Sequence, residues 1–163
     1  MVERFQSKVS PEMIRQAAQK GLNVHQFVTF ASLVGKESGC AAEKPLIAAV
    51  FYNRLKKGMP LQSDPTAVYD LKNFKGKVMR SHYKRESPYN TYLIRGLPPG
   101  PIASPGLDSF QAVLQPAAVD YLYFVSKGDG THHFSSSLMA HNDATVRFRN
   151  MINRKEKVEE TVR

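Results

Sequence analysis

The sequence predicts an α+β fold in which helices pack beside a small antiparallel sheet. Three stretches with apolar residues at helical spacing follow one another in the first sixty residues. Later, two short stretches rich in aromatic and β-branched residues flank the turn sequence Lys-Gly-Asp-Gly at 127–130, which is typical of a hairpin. The length of 163 residues and the 42% hydrophobic content fit one domain, 1–163, with a substantial core.

The first two helices are predicted from their end signals and their apolar content. Ser10 and Pro11 offer a capping side chain and a proline at the first helical position, so a helix should run to about residue 20 and end at Gly21. A second helix is expected over 25–36. It is apolar on nearly every side, which predicts that it is buried.

The remaining elements follow from the same patterns. A third helix is predicted over 43–57, ending at Gly58, and a short helix over 107–114. Residues 59–105 are irregular, and such a long loop in one domain is usually functional or contains short strands. The strands of the hairpin are expected over 121–126 and 131–136, with a closing helix over 138–156.

Glu37 is the strongest candidate for a catalytic residue. The apolar second helix brings this single acid to a Ser-Gly break in the chain. Burial and the negative end of the helix dipole both disfavour the ionised carboxylate, so they should raise its pKa and allow it to donate a proton near neutral pH. The alternative is a solvated carboxylate on the last turn of a surface helix.

The positive charge favours an anionic partner. The formal net charge is +9 with a pI of about 9.7, which suits nucleic acid, anionic lipid or a carboxylate-bearing cell-wall polymer. The region 72–85 lacks the regular aromatic interleaving of single-strand binding proteins, so nucleic-acid binding is disfavoured. The basic residues of this first cluster are Lys72, Lys75, Lys77, Arg80, Lys84 and Arg85.

Cysteine content and hydropathy limit the possible classes further. The single cysteine, Cys40, excludes an internal disulfide and a cysteine-rich metal site. No run of about 20 apolar residues is present, and the start of the chain does not have the pattern of a signal peptide. A soluble chain is therefore expected, and any membrane anchor should lie outside this sequence.

Seven short segments occur in order along most of the chain: ASLVGKE at 31–37, VFYNRL at 50–55, LQSDPT at 61–66, SPYNTY at 87–92, GLPPGPI at 96–102, YLYFV at 121–125 and HN at 141–142. Together they resemble the endolytic murein transglycosylases, the YceG-like family. In that family the catalytic glutamate corresponds to Glu37. Many members carry an acid where this chain has Gly35, but that acid is not the expected catalyst.

The resemblance implies an enzyme that cleaves the β-1,4 bond between N-acetylmuramic acid and N-acetylglucosamine within peptidoglycan strands. The product would be a 1,6-anhydromuramyl end, formed without water and without a cofactor. Such enzymes act at the extracytoplasmic (periplasmic) face of the inner membrane, held by an N-terminal anchor that precedes a LysM-like subdomain. Neither is recognised in this chain, so the catalytic domain alone is expected, with glycan strands as substrate and cell-wall synthases as candidate partners.

A lytic transglycosylase can work with one carboxyl group, whereas a hydrolase needs two. Glu37 would act first as general acid and then as general base. Gln62 and Asp64 are candidates to bind the substrate N-acetyl group or to orient Glu37, although Asp64 also fits an Asx turn. The aromatic and amide side chains of the SPYNTY segment suit a sugar groove or simple loop packing. The candidate substrate-binding residues are Ser38, Gln62, Asp64, Tyr89, Asn90 and Tyr92.

Several other polar residues are expected to have structural roles. Arg54 is interpreted as a buried ion-pair partner, and Glu43 as an early-helix acid that satisfies a helix terminus. His132 and His133 should lie on opposite faces of a strand, and no acid joins them or His141 at ligand spacing, so no metal site is predicted.

Three other functions remain open on the sequence alone. One is a muramidase in which Asp64 or Glu43 activates water as a second carboxylate. Another is a cell-wall binding module without catalysis. The third is a pyridoxal-phosphate lyase, which would need a buried lysine such as Lys36 and a phosphate-binding loop that the sequence lacks.

Overall fold

The computed structural model describes residues 7–161, with side chains to Arg154. Within this range, six α-helices and one two-stranded antiparallel sheet form the predicted α+β architecture. The first six residues, which bear on the signal-peptide prediction, lie outside the described range. The elements in chain order are α1 (Pro11–Gln19), α2 (Val24–Glu37), a 3₁₀ turn (Ala41–Glu43), α3 (Lys44–Lys56), a second 3₁₀ turn (Asp64–Ala67), α4 (Arg80–Tyr83), α5 (Leu107–Leu114), β1 (Tyr123–Ser126), β2 (His132–Ser135) and α6 (Leu138–Thr161).

Helix α2 lies at the centre of the core, as its apolar sequence predicts. Phe27 and Phe30 are fully buried on it. The ring of Phe27 packs 5.0 Å from that of Phe110 on α5, and Phe30 lies 6.2 Å from Phe51 on α3. Neighbouring helices thus enclose α2 on several sides, which fixes the position of its C-terminal residue.

The helix ends follow the predicted signals closely. Ser10 caps α1 by accepting a hydrogen bond from the Met13 amide at 3.2 Å. Asn23, which is not among the predicted signals, caps α2 and forms a reciprocal capping box with Gln26. Gly21 follows Lys20, the C-cap of α1, and adopts a positive φ of 78°, a conformation in which a side chain would be strained.

The hairpin and the closing helix complete the fold. Strands β1 and β2 pair with Phe124 opposite Phe134, and each strand is shorter than the sequence predicts. The ring of Phe124 lies 6.2 Å from that of Phe51, so the sheet packs against α3. Helix α6 extends to Thr161, five residues beyond its predicted end.

The long segment 59–105 lacks the short strands that were one of the two possibilities predicted for it. It contains the 3₁₀ turn Asp64–Ala67 and the short helix α4, but it forms no strand. Among the described residues, no helix is long and apolar enough to cross a bilayer.

Candidate active site

Glu37 occupies the last position of α2, and its carboxyl group faces the long segment. Its oxygen Oε1 accepts a short hydrogen bond from the hydroxyl of Ser63, which lies just before the 3₁₀ turn Asp64–Ala67. Ser63 is buried, whereas the side chain of Glu37 is only partly covered. The structure therefore places the acid at the boundary between the core and solvent, as a proton donor to a ligand requires.

The pKa of Glu37 is raised from 4.5 to about 7, and burial is the largest cause. The negative charge of Asp64 adds to the increase in pKa, while the Ser63 hydrogen bond and the positive charge of Arg54 oppose it. The predicted upward direction is confirmed. A carboxyl group with this pKa is substantially populated in both protonation states near neutral pH.

A buried network of hydroxyl groups holds Ser63 in place. Its amide donates to Thr91 Oγ1 at 2.9 Å, and its carbonyl accepts from Thr66 Oγ1 at 2.6 Å. The two threonine hydroxyls lie 2.8 Å apart, and both residues are fully buried. Because both threonines are buried, the backbone of Ser63, and with it the position of its hydroxyl, is strongly constrained.

Gln62 and Arg54 connect this segment to α3. Gln62 has a positive φ of 53°, which is uncommon for a residue with a side chain. Its Oε1 accepts from Arg54 Nη1 at 3.1 Å. Arg54 is buried as predicted, but it donates mainly to carbonyl oxygens, including that of Leu122 at 2.7 Å, and not to an acid. The ion-pair interpretation of Arg54 is therefore wrong.

Asp64 is exposed and accepts hydrogen bonds from two tyrosines. The hydroxyl of Tyr83 donates at 3.2 Å, and that of Tyr92 donates to the other oxygen. The two rings stack with centroids 4.3 Å apart. The alternative Asx turn is not formed, because the amide of Thr66 donates to the carbonyl of Ser63 at 3.1 Å.

The two phenols stay protonated near neutral pH, so each keeps an O–H donor for Asp64. Burial, followed by the charge and hydrogen bond of Asp64, raises the pKa of Tyr92 far above its ordinary value. The pKa of Tyr83 is also raised, first by burial and then by Asp64. The surface formed by Asp64, Tyr83 and Tyr92, called the tyrosine platform below, thus combines stacked apolar faces with a carboxylate.

Tyr89 and Asn90 lie in the same loop but differ in accessibility. The ring of Tyr89 is partly exposed and packs 4.7 Å from that of Tyr69. Asn90 is fully buried, and its Nδ2 donates to loop carbonyls, including that of Arg85 at 2.7 Å. In this structure Asn90 supports the loop, so a direct substrate contact by Asn90 would require the loop to open.

Ser38 lies close to Glu43, and Glu43 is hydrogen-bonded to the hairpin. Ser38 is buried and its hydroxyl lies 3.4 Å from Glu43 Oε2. Glu43 accepts from the amide and from Nδ1 of His132, each at 2.8 Å, and it makes no capping hydrogen bond to α3. The prediction that Glu43 satisfies a helix terminus is therefore wrong, and an acid does join His132, from 89 positions away.

The structure bears on two chemistries that the sequence disfavours. Among the residues with described side chains, no group of three or more histidine, cysteine or acidic residues is placed to hold a metal ion. His133 instead packs against Phe148 of α6, and His141 stacks on Tyr123. Lys36 is exposed, so it does not provide the buried amine that a pyridoxal-phosphate enzyme needs.

An open surface concavity of about 680 Å³ lies away from these residues. It is lined by Asn53 and by residues 117–121, and Glu37 does not contribute to it. The site is therefore defined by its chemistry, as a carboxyl group at a helix end beside a pair of stacked tyrosines, and not by this depression.

Sequence reasoning missed two members of the site. Ser63 lies between Gln62 and Asp64 within the quoted LQSDPT segment, so its position in that motif was an available signal. Tyr83 offered no such signal, because it stands in a basic, irregular stretch and reaches Asp64 only through the fold.

At Gly35, an added Cβ would lie 3.0 Å from Ser109 Oγ, so a larger residue there would require Ser109 to shift.

Comparisons with known proteins show what the chain as a whole resembles. The model of the YceG-like family matches residues 1–147. The endolytic murein transglycosylase of Bacillus subtilis is 46% identical over 127 residues, and that of Streptococcus pneumoniae is 40% identical over 116 residues. A crystal structure of a YceG-like protein from Listeria monocytogenes superposes with a TM-score of 0.75 and 41% identity, covering 82% of this chain and 43% of that one.

The chain spans only part of the curated relatives that it matches. The aligned region covers 78% of this chain but 35% of the Bacillus protein, and 66% of this chain but 20% of the Streptococcus protein.

Proposed function

Since the chain belongs to the YceG-like family, we propose that it is the catalytic domain of an endolytic peptidoglycan transglycosylase. Its substrate would be the β-1,4 bond between N-acetylmuramic acid and N-acetylglucosamine inside a glycan strand. The curated relatives named endolytic murein transglycosylase support this activity. Because peptidoglycan lies outside the cytoplasmic membrane, the proposed place of action is the extracytoplasmic face of the inner membrane.

The observation that carries the proposal is the state of Glu37. With a pKa of about 7, this group can be protonated when it meets the substrate and can hold a negative charge afterwards. Protonated Glu37 would donate its proton to the glycosidic oxygen as the bond to C1 breaks. The resulting carboxylate would accept the proton of the muramyl 6-hydroxyl as that oxygen bonds to C1. Glu37 is then protonated again, and no water enters the product.

The surroundings of Glu37 suit both halves of this cycle. The Ser63 hydroxyl can donate to the carboxylate that forms after the first step, and the positive charge of Arg54 stabilises the same state. Burial favours the protonated acid at the start. Opposing influences of this kind keep the two protonation states close in free energy, as a group that acts first as acid and then as base requires.

The tyrosine platform is the proposed contact for a sugar ring next to the cleaved bond. Stacked aromatic faces bind the apolar face of a sugar, and Asp64 can accept from a hydroxyl or an N-acetyl amide. Gln62 and Tyr89 would contribute further polar and aromatic contacts along the groove.

Replacement of Glu37 tests the proposal. Glu37→Gln is nearly isosteric but cannot give and then take back a proton, so cleavage of purified peptidoglycan should fall by about 10²–10⁴. Binding to sacculi and the melting temperature near pH 5 should be retained. Glu12→Gln, which removes an exposed acid on α1, is the matched control and should keep full activity. Full activity of the Glu37 variant would remove this residue from the mechanism.

The competing enzyme is a two-carboxylate muramidase. Its second acid would be Asp64, whose negative charge raises the pKa of Glu37. Both Asp64 oxygens already accept tyrosine hydroxyls, which favours a positioning role. Asp64→Asn should therefore retain measurable activity and anhydro products. A loss as deep as that of Glu37→Gln in a folded protein would support the muramidase. Binding to sacculi by the unaltered chain without released muropeptides would indicate a binding module.

A further inference from the structure

Glu43 and His132 form a buried pair that the proposed chemistry does not use. Their side chains are only 11% and 13% exposed, and Nδ1 of His132 lies 2.8 Å from Glu43 Oε2. The amide of His132 donates to the other oxygen, Oε1, also at 2.8 Å. Both carboxylate oxygens are thus bound to one residue of β2, which leaves Glu43 poorly placed to activate a water molecule.

The same carboxylate is connected to the end of α2. The hydroxyl of Ser38 lies 3.4 Å from Glu43 Oε2 and also accepts from the amide of Cys40 at 3.0 Å. Ser38 is the residue directly after Glu37 and is only 4% exposed. Because Ser38 and Glu37 share a peptide bond, the contacts that hold Ser38 also restrain the backbone that carries the Glu37 side chain.

The ionisation of Glu43 is consistent with this arrangement. Burial alone would raise its pKa, but the hydrogen bonds and charge of His132 outweigh burial and hold the pKa below its ordinary value. Glu43 is therefore a carboxylate near neutral pH, with lone pairs for the His132 donors and for the Ser38 hydroxyl.

We propose that Glu43 and His132 are positioning residues for the reaction, which hold Glu37 at its working position through Ser38. The hairpin, through His132 and Glu43, thereby supports the end of α2. The inference rests on the proposed function, since it assumes that Glu37 is the group whose position matters. A displacement of even about 1 Å at a catalytic group can lower the rate about 10²-fold while substrate binding is retained.

Disruption of the pair should lower kcat more than it raises KM. For Glu43→Gln and His132→Ala, we expect kcat on soluble glycan strands to fall at least tenfold, with KM within about threefold of the unaltered protein. His132→Asn keeps a donor close to the position of Nδ1 and should recover most of kcat. Ser38→Ala breaks the link to Glu37 without altering the pair, and it should lower kcat in the same way.

The neighbouring ion pair provides a matched control. Lys44 follows Glu43 directly, is buried, and bonds Asp108 of α5 at 2.5 Å. Asp108 is 43% exposed, and the pair hydrogen-bonds neither Ser38 nor Glu37. Asp108→Asn therefore weakens a neighbouring pair outside the proposed connection, and it should lower the melting temperature slightly while kcat stays unchanged. If kcat of the Glu43, His132 and Ser38 variants also stays unchanged, or falls only as far as in Asp108→Asn, the positioning role is wrong.

Failure of this inference can be distinguished from failure of the proposed function. If the unaltered protein produces anhydro ends and Glu37→Gln abolishes them, while the Ser38 and Glu43 variants have unchanged kcat, only the positioning role is wrong. If Glu43→Gln instead shifts the products to reducing ends, Glu43 has another role and the inference is overturned. If Glu37→Gln remains fully active, the proposed function itself fails, and the inference fails with it.

Discussion

At the scale of single residues, the central feature is the balance of influences on Glu37. Burial raises its pKa, Asp64 raises it further, and Ser63 and Arg54 lower it, with a result of about 7. The difference from the ordinary value of 4.5 corresponds to roughly 3 kcal/mol of preference for the protonated form. Burial and the charge of Asp64 together therefore raise the pKa more than one hydrogen bond and a nearby positive charge lower it.

Removal of the Ser63 hydroxyl should change this balance in a known direction. The hydroxyl donates to the carboxylate form and lowers the pKa of Glu37, so Ser63→Ala should raise that pKa by about one unit. The alkaline limb of the kcat–pH profile should move upward accordingly, with a several-fold lower kcat at its optimum. Ser104→Ala, at an exposed loop position, is the control. An unmoved alkaline limb would contradict the assigned role of Ser63.

The raised pKa also predicts how stability depends on pH. Because the folded pKa of Glu37 lies above its unfolded value, its stabilising contribution is complete below about pH 4.5 and is lost as the pH rises through about 7. Glu37→Gln has no such group. Relative to the unaltered protein, the variant should gain up to about 3 kcal/mol in the free energy of unfolding between pH 4.5 and 8.5. Urea unfolding at both pH values measures this, and equal differences would contradict the raised pKa.

At the scale of elements, the site is assembled from a helix end and a loop held by buried hydroxyl groups. Helix α2 supplies Glu37, while Thr66 and Thr91 hold the segment that carries Ser63. The hairpin contributes His132, which bonds Glu43 just before α3. Because loops depend on such specific contacts more than helices do, the loop is the more sensitive part of the site.

The threonine network gives a test at this scale. Thr91→Val keeps the shape of the side chain but removes the acceptor for the Ser63 amide and the contact to Thr66. Leaving a buried donor unsatisfied costs about 1–3 kcal/mol, so the free energy of unfolding should fall by that amount. Activity should fall as well, because Ser63 is displaced. Thr145→Val on α6, where the hydroxyl bonds its own helix, should be nearly neutral for activity.

The helices could be predicted from the sequence because their signals are local. The cap at Ser10, the apolar run before Glu37 and the glycine after α3 each lie within a few residues of the boundary that they predict. The direction of the Glu37 pKa shift followed from the same local pattern. The fold class could be predicted for the same reason, because each helix and strand has its own local sequence signal.

The contacts between distant segments could not be predicted in this way. Tyr83 reaches Asp64 across 19 positions, and Glu43 reaches His132 across 89. No local pattern encodes such pairs, so the sequence predicts a helix-end role for Glu43 and an ion pair for Arg54, and neither forms. The role of Asn90 as a buried loop support likewise depends on three carbonyl groups that only the folded loop brings together.

At the scale of the whole molecule, the net charge of +9 should attract an anionic polymer. The basic segment, residues 72–85, carries lysines that are all exposed. The same segment contains Tyr83, which belongs to the tyrosine platform, so these charges are close in sequence to the platform. A glycan strand with carboxylate-bearing peptides would meet both surfaces together.

Salt dependence tests whether this charge is used. Binding to sacculi should weaken as ionic strength rises, because the Debye length falls from about 10 Å at 0.1 M to about 3 Å at 1 M. Replacing Lys72, Lys75 and Lys77 by Gln should flatten this dependence without altering the products. A control triple variant with Gln at exposed Lys8, Lys56 and Lys57 loses the same charge elsewhere. Identical salt curves for the two variants would contradict a specific role for the basic segment.

The central claim is that one carboxyl group cleaves the glycan without water. The most direct measurement is mass spectrometry of muropeptides released from peptidoglycan in water enriched in ¹⁸O. We expect 1,6-anhydromuramyl ends, lighter by one water than reducing ends and free of ¹⁸O, and their loss in Glu37→Gln. Reducing ends that carry ¹⁸O would contradict the account, because they would require a water molecule activated by a second carboxylate.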